Sequence, residues 1–569
     1  MLRIIALLLL LLSSFKYYKF FRFYKLGNIL AFILYTVSLF NKDIDVIYNW
    51  FNINDISFNF DIYFSQTETL ICSVVCLILS ILHYSADILY KNDKCINNKL
   101  QLLNLFAFSM CFAICSNNMW QFYIGVELLG FISSIFVVIE SQISTKTEIS
   151  IETKCNKYES LLLESTKSQN TVSIMNCENS IITKSATTVY IYNKFASIIF
   201  LFGTILYLTN KYQELSVICF TIACLCKSAQ IPFSNWLLKA THANTLASIL
   251  IHCATIIGVG IIFINKFHFL FTQYDYLLNI ILIISLCTSI IYSILALFET
   301  NVKKIMACLT IASTGIMFSL CALKRYSVSI NYFLCHAFFK SLLFLLFAYY
   351  IEYFKTKDIK QFKNLKYLNI VGLIAVLSSI GFPPFIGFYS KLIISNTLHD
   401  YSSFINFFVE LSNCLMDIVI FKLYLQYFKQ NKDSINCKFN IKQIYLLIIL
   451  SIIYGFVFTV FFEYKIGKIY ISIIENILVI LSSYIIAYNT QCIPFTKKYS
   501  INHKAIKYSN IISYINKFNN KIEYFYDNVF YNYQYKLSGS LENINNSKYN
   551  NQIKHLLIGL VITCIVLFF

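Results

Sequence analysis

Six ionisable side chains stand inside, or at the mouth of, apolar stretches where charge is expensive. Glu127 lies in YIGVELLGF, Lys227 in CLCKSAQIPF, His252 in ILIHCATII, Lys340 in CHAFFKSLLF and Lys391 in PPFIGFYSKLII, while Lys303 heads another apolar run. A charge at mid-membrane depth costs at least ~2.5–3.5 kcal/mol on insertion scales, so each is a functional candidate by default. The chemistry these types share is proton transfer. Desolvation makes an ammonium give up its proton more readily, and a nearby carboxylate holds that proton in place. Glu127 is the candidate partner of Lys227, Lys340 the relay between two halves, and Lys391 the exit toward the outer face. Static ion pairs gluing helices together are the competing reading, and a core histidine is the competing reading for His252. Asp417, Lys422 and Glu475 weigh less, because they are as apt to snorkel or pair as to conduct.

Prolines sharpen this. The chain has 4, and three of them fall in two apolar runs: Pro232 just after Lys227, and Pro383 with Pro384 just before Lys391. Proline removes a backbone hydrogen bond, and the freed carbonyl survives at membrane depth only where protein or water satisfies it. Two interrupted helices five spans apart, running in opposite directions, are the sequence sign of an inverted-repeat transporter.

The elements that must position these groups follow from composition. The 569 residues are 58% hydrophobic and 13% charged, which excludes an ordinary water-soluble enzyme. Apolar runs near the length of a bilayer core give about sixteen candidate helices, so the expected fold is an all-α polytopic membrane protein. Residues 2–12 resemble a signal-peptide core, but no small-residue cleavage site follows, so they read as a first span. The broken helices are the seventh (214–236) and twelfth (366–395), and spans 4–8 pair with spans 9–13. The divisions are 1–100 for three leading spans, 101–265 for a first repeat, 276–426 for a second, inverted one, and 443–488 for two further spans. Loops after odd-numbered spans hold roughly 33 Lys and Arg against roughly 7 after even-numbered ones, placing odd loops inside and both termini outside. The net charge of +18 therefore marks topology, not a nucleic-acid partner. Nineteen cysteines sit mostly in apolar runs with no CxxC pair, and read as small hydrophobes rather than metal or cluster ligands.

Two regions do not span. Residues 141–187 are a polar, inside-facing insertion, either a tolerated loop or a partner-binding segment. Within 497–545, Ile501, Ala505, Tyr508, Ile511, Ile515, Phe518, Ile522, Phe525 and Val529 recur at spacings of three and four. That is an amphipathic helix of about 28 residues, ~42 Å long, lying along the inner face or bracing neighbouring subunits, before a last anchor at 555–569.

The motifs FYIGVELLGF, CKSAQIPFSNWLLKATHANTLASILIHCATII, NVKKIMACLTIASTGIM, CHAFFKSLLFLLF and GFPPFIGFYSK together resemble the chain 5 family of NADH–ubiquinone oxidoreductase, respiratory complex I. The resemblance covers nearly the whole chain and implies an antiporter-like proton-pumping subunit of a membrane arm. By motif match, Glu127, Lys227, Lys340 and Lys391 fall on the family's channel residues, with His252 and Lys303 alongside. It further implies no redox cofactor on this chain, with NADH, FMN, iron–sulfur clusters and ubiquinone on other subunits. The implied partners are chain 4 and chain 2 type subunits under the lateral helix, accessory subunits, and phospholipids such as cardiolipin, with no nucleic acid. The implied place is the mitochondrial inner membrane, with termini on the intermembrane-space side and the lateral helix on the matrix side. Several family acids and prolines are replaced: Leu392 follows the lysine of GFYSK, Asn301 precedes the lysine pair, Tyr332 stands for a histidine, Ser197 for an acid, and Leu238, Lys239 and Leu246 for others. An Mrp-type cation/proton antiporter subunit and a structural arm subunit with a decayed channel are the alternative functions.

Overall fold

The structure is a computed structural model that describes residues 2–14, 23–53, 56–90, 93, 96–155, 167–210, 212–399, 401–425, 434–435, 444–449, 452 and 466–489. The expected lateral helix and C-terminal anchor, and most of the fourteenth expected span, lie outside the described residues. Among the described residues, ten helices are long and apolar enough to cross a membrane, and shorter apolar helices run over Leu2–Ser14, Lys25–Ser38 and Lys366–Ile380. The chain is a multi-pass membrane protein.

In order, the elements are α1 (Leu2–Ser14), α2 (Phe23–Ser38), the hairpin β1–β2 (Ile44–Ile53, Ile56–Phe64), α3 (Gln66–Leu89), α4 (Ile96–Cys115), α5 (Met119–Cys155) and α6 (Lys167–Leu208). Then come α7 (Gln213–Lys227), α8 (Asn235–Ala240), α9 (Thr245–Cys253), α10 (Val259–Lys266), α11 (His268–Phe271), α12 (Asp275–Phe298), α13 (Val302–Ala322) and α14 (Tyr326–Phe354). The chain continues through α15 (Asn369–Ile380), α16 (Ile386–His399), α17 (Ser403–Tyr424) and a final described helix, Ile466–Asn489.

A helix that is apolar on every side belongs in the interior. The spans of α13 and of α9–α10 are buried over 100% of their most apolar window and α14 over 94%, whereas α12 keeps 39% and the last described helix 22%. The candidate residues His252, Lys303 and Lys340 thus ride on the three innermost spans.

Both proline-marked spans are broken, and the two breaks are built alike. Ala229 (φ 55°) and Gly381 (φ 89°) take the left-handed conformation. Beside them Gln230 N donates to Leu225 O at 2.8 Å, and Phe382 N to Leu377 O at 2.9 Å. Phe233 N then donates to Gln230 O, as Phe385 N does to Phe382 O. Each corresponding residue pair is separated by one constant sequence offset.

Three details differ from the sequence expectation. The eighth span, read as one helix, is interrupted between α9 and α10, where Thr255 leaves helical geometry (φ −127°, ψ −110°). No proline announces this break; the Thr255 hydroxyl takes the Leu250 carbonyl at 2.8 Å and the Ser228 hydroxyl takes Ile257 O at 2.7 Å. Between the second and third spans, a segment left unassigned forms the β1–β2 hairpin, paired antiparallel from Ile44–Phe64 to Ile53–Ile56. Within the 141–187 insertion, read without sustained periodicity, the backbone of 141–155 continues α5 and that of 167–187 belongs to α6. A helix nucleated inside the membrane propagates outward without needing an apolar stripe.

Close packing sets α15 against α16. A Cβ added at Gly387 would lie 2.0 Å from the Ser378 carbonyl oxygen, which only a shift of backbone could relieve. Gly387→Ala should therefore destabilise the protein by about 1–3 kcal/mol, read as a lowered thermal midpoint in detergent. An unchanged midpoint would show that the two half-helices do not pack this closely.

Candidate functional site

Each proline break frees the carbonyl four residues before it, because the proline there has no N–H to offer. For Pro384 that carbonyl is Ile380 O, and the Lys391 ammonium donates to it at 2.6 Å. For Pro232 it is Ser228 O, and the Gln230 amide donates to it at 3.1 Å. The lysine beside the second break is thus held by the defect that the prolines create.

Lys391 also reaches both carboxylate oxygens of Asp417 on α17, each at 2.8 Å, in a pair whose side chains are 7% and 1% exposed. The carboxylate that Leu392 does not provide in sequence is supplied across the interface by Asp417. From sequence alone Asp417 weighs little, because an acid there is as apt to snorkel or pair as to conduct.

In the first half, Glu127 on α5 makes its ion pair with Lys194 on α6, not with Lys227 as expected. Lys227 lies deeper, only 2% exposed, and donates to the neutral Asn193 Oδ1 at 3.4 Å. It also rests against α5: a Cβ at Gly130 would come within 2.9 Å of its ammonium nitrogen. Gly130 is one turn from Glu127, so Glu127 and Lys194 remain the charged neighbours of Lys227. Lys194 was missed because its stretch reads as an ordinary span.

At the centre, Lys340 is buried on α14 and faces the Cys253 and Cys308 side chains. Among the described residues no carboxylate lies within ion-pair distance of it. His336, one turn earlier on α14, and His252 on α9 are its titratable neighbours. His252 stacks on Phe344 with ring centroids 5.3 Å apart. Among the described residues neither ring nitrogen of His252 has a hydrogen-bond partner, unlike those of a hydrogen-bonded core histidine. The Gln230 amide links the first break to Thr314 on α13 at 3.0 Å, and among the described residues its side-chain oxygen is unpartnered, as is the Asn331 amide nitrogen on α14.

Lys303 lies at the start of α13, where Asn301 caps the helix by accepting from Lys303 N at 3.0 Å. Its ammonium donates to Ala243 O at 2.8 Å, beside the short turn that carries His242. His242 is ringed by Lys239, Lys303, Lys304 and Lys357, and burial together with these charges pushes its imidazole down to about 4. Lys303 also faces His252, which connects this basic mouth with the interior.

The arrangement places buried ionisable groups on both broken helices and on the interior spans α9, α13 and α14, with carboxylate ion pairs at Glu127–Lys194 and Asp417–Lys391. Residues 168–416 match the family described as NADH:quinone oxidoreductase/Mrp antiporter, TM. NADH-quinone oxidoreductase subunit L of Rickettsia typhi is 28% identical over 365 residues, 63% of this chain and 54% of that one. NADH-ubiquinone oxidoreductase chain 5 of Wickerhamomyces canadensis is 28% identical over 355 residues, 56% of this chain and 54% of that one. The chain is homologous to these proteins and spans about half their length. In fold it is similar to a chain of the Mrp complex from Dietzia sp. DQ12-45-1b, with a TM-score of 0.69, 13% identity, and coverage of 99% of this chain and 62% of that one.

His242 gives the basic mouth a pH signature. The unfolded imidazole takes its proton near 6.5 and the folded one only near 4, so between these values the unfolded state binds the extra proton. Stability should therefore fall as pH falls through that window. The thermal midpoint should drop more between about pH 7 and about pH 5 in the native chain than in His242→Gln. Equal drops would contradict the buried, lysine-ringed imidazole.

Proposed function

We propose, from homology to subunit L and chain 5 and from the buried axis, that this chain is a proton-translocating membrane-arm subunit of an NADH:quinone oxidoreductase. The observation that carries the reading is the burial of Lys227, Lys340 and Lys391 on the two broken helices and on the interior span α14, with Lys391 held by Asp417. Electron transfer from NADH to quinone would occur on other subunits, which would hold NADH, FMN, iron–sulfur clusters and ubiquinone. Here the work is electrostatic. Moving a proton against the potential costs ~2.3 kcal/mol per 100 mV, a scale that rearranging buried charge partners can reach.

In this reading Lys303 and His252 load protons from the basic inner mouth, and Lys340 carries them between halves because no carboxylate among the described residues pins it. The Glu127–Lys194 pair biases Lys227 from one end. Unpartnered polar atoms of Gln230, His252, His336 and Asn331 are the places for bridging water. The expected setting is the mitochondrial inner membrane, with chain 4 and chain 2 type subunits, accessory subunits and cardiolipin as neighbours. Both termini would lie on the intermembrane-space side and the lateral helix on the matrix side.

An Mrp-type cation/proton antiporter subunit is the second reading, favoured by the shared fold with a chain of the Mrp complex. A native gel of mildly solubilised membranes separates the two: the chain should co-migrate with an NADH-oxidising band. Lys227→Met in that assembly should lower the protons pumped per NADH oxidised. Migration in a small assembly without NADH oxidation would overturn the reading in favour of the antiporter. Unchanged pumping in an intact complex would leave the chain a structural role.

A further inference from the structure

Lys391 is the last lysine of the axis, and Leu392 beside it offers no carboxylate. One face of α17 carries a row of polar residues. Asn406, Glu410, Asn413 and Asp417 recur at spacings of four, three and four, so they stack along one line, ~16 Å from end to end. That is about half of a hydrocarbon core. Asp417 takes Lys391 at one end. Next along the row, Asn413 is 1% exposed, and among the described residues its amide has no close hydrogen-bond partner beyond a loose contact with the Glu410 carboxylate. Both carboxylate oxygens of Glu410 are buried and, that contact with Asn413 apart, have no hydrogen-bond partner among the described residues, nor has Asn406 Oδ1. Glu410 faces Lys391, Glu475, Asn413 and Asp417. Near the α16–α17 turn, Glu475 on the last described helix accepts from Ser395 Oγ at 3.1 Å and pairs with His399 Nε2 at 2.6 Å, with side chains 22% and 30% exposed.

Buried polar atoms without partners are scarce in folded proteins, and a row of them on one helix face marks a wet path. We propose that this row is the proton outlet of the chain, running from Lys391 and Asp417 through Asn413 and Glu410 to the His399–Glu475 pair at the surface. The proposal rests on the proton-translocating reading and adds the residues of the release step. The Lys391 ammonium passes one proton to a carboxylate oxygen of Asp417, leaving an amine and a carboxylic acid. Asp417 hands that proton through water held by the Asn413 amide to Glu410. Glu410 delivers it to Glu475 or His399, which release it to bulk water. Each handover moves one proton between an acid and a base, and no oxidant or reductant takes part. The Asp417–Lys391 contact, direct and bidentate, returns both groups to their starting state once Lys391 is refilled from the centre.

The test measures protons pumped per NADH in the assembled complex, with assembly followed on a native gel, for Glu410→Gln, Asn413→Leu and Lys227→Met. All three should lower the ratio to the same level, and Glu410→Asp should recover most of it. If Lys227→Met lowers the ratio while Glu410→Gln and Asn413→Leu leave it at the native value, the outlet is wrong and the channel stands. If Lys227→Met also leaves it unchanged, the translocating reading fails and the outlet falls with it. Should the α17 variants not assemble, the native complex decides. Dicyclohexylcarbodiimide, which modifies protonated carboxyls in apolar surroundings, should modify Glu410 and block pumping in step. An unmodified Glu410 would overturn the proposal.

Discussion

A backbone carbonyl stripped of its N–H partner cannot stay bare in hydrocarbon. That constraint organises the molecule. Proline at 232 and 384 orphans Ser228 O and Ile380 O, and the chain answers with Gln230 in one case and Lys391 in the other. Once an ammonium is fixed at mid-depth in this way, it needs a counter-charge, and Asp417 supplies it. The position of α17, and with it the polar row from Asn406 to Asp417, follows from that demand. In the other half the same backbone defect is closed by a neutral amide, so Lys227 is left to rest on Gly130 and Asn193.

The two halves therefore share a backbone and differ in how firmly they hold charge. A buried ion pair costs desolvation that its attraction only partly repays, and breaking one side of it is expensive. The Lys391–Asp417 pair is of this kind, with both carboxylate oxygens engaged. Lys340, at the centre, has cysteines and histidines around it in place of an acid. Tight retention by Asp417, a centre with no acid in ion-pair reach among the described residues, and a partly exposed Glu127–Lys194 pair give three different kinds of partner. A static scaffold has no need of such differences, since helices can be joined by serine contacts such as Ser289 with Ser412.

Much of this was legible in the residues. Intramembrane lysines next to prolines pointed to the broken helices, because charge and helix breaks are both penalised in lipid and rarely coincide without cause. What the sequence hid were partners contributed from distant elements. Asp417 lies 26 positions from Lys391, and nothing in GFYSKLII announces it. The stripe Asn406, Glu410, Asn413, Asp417 stands at helical spacing in the sequence, but its members lie outside the lysine-bearing motifs. The alternation in ISFNFDIYF is a period-two signal that marks β2, which a search for apolar runs does not register. The interruption after Cys253 left no trace, since Thr255 and Ser228 satisfy its carbonyls from side chains common in any span.

The central claim is that charge moves through the middle of this chain and is not merely stored there. Lys340 is the residue on which the two halves meet, so Lys340→Met in the assembled, membrane-reconstituted complex is the most direct measurement. The account predicts an intact assembly that still oxidises NADH but pumps fewer protons per NADH than the native complex. A native pumping ratio in that variant would contradict it, and the buried lysines would then be structural.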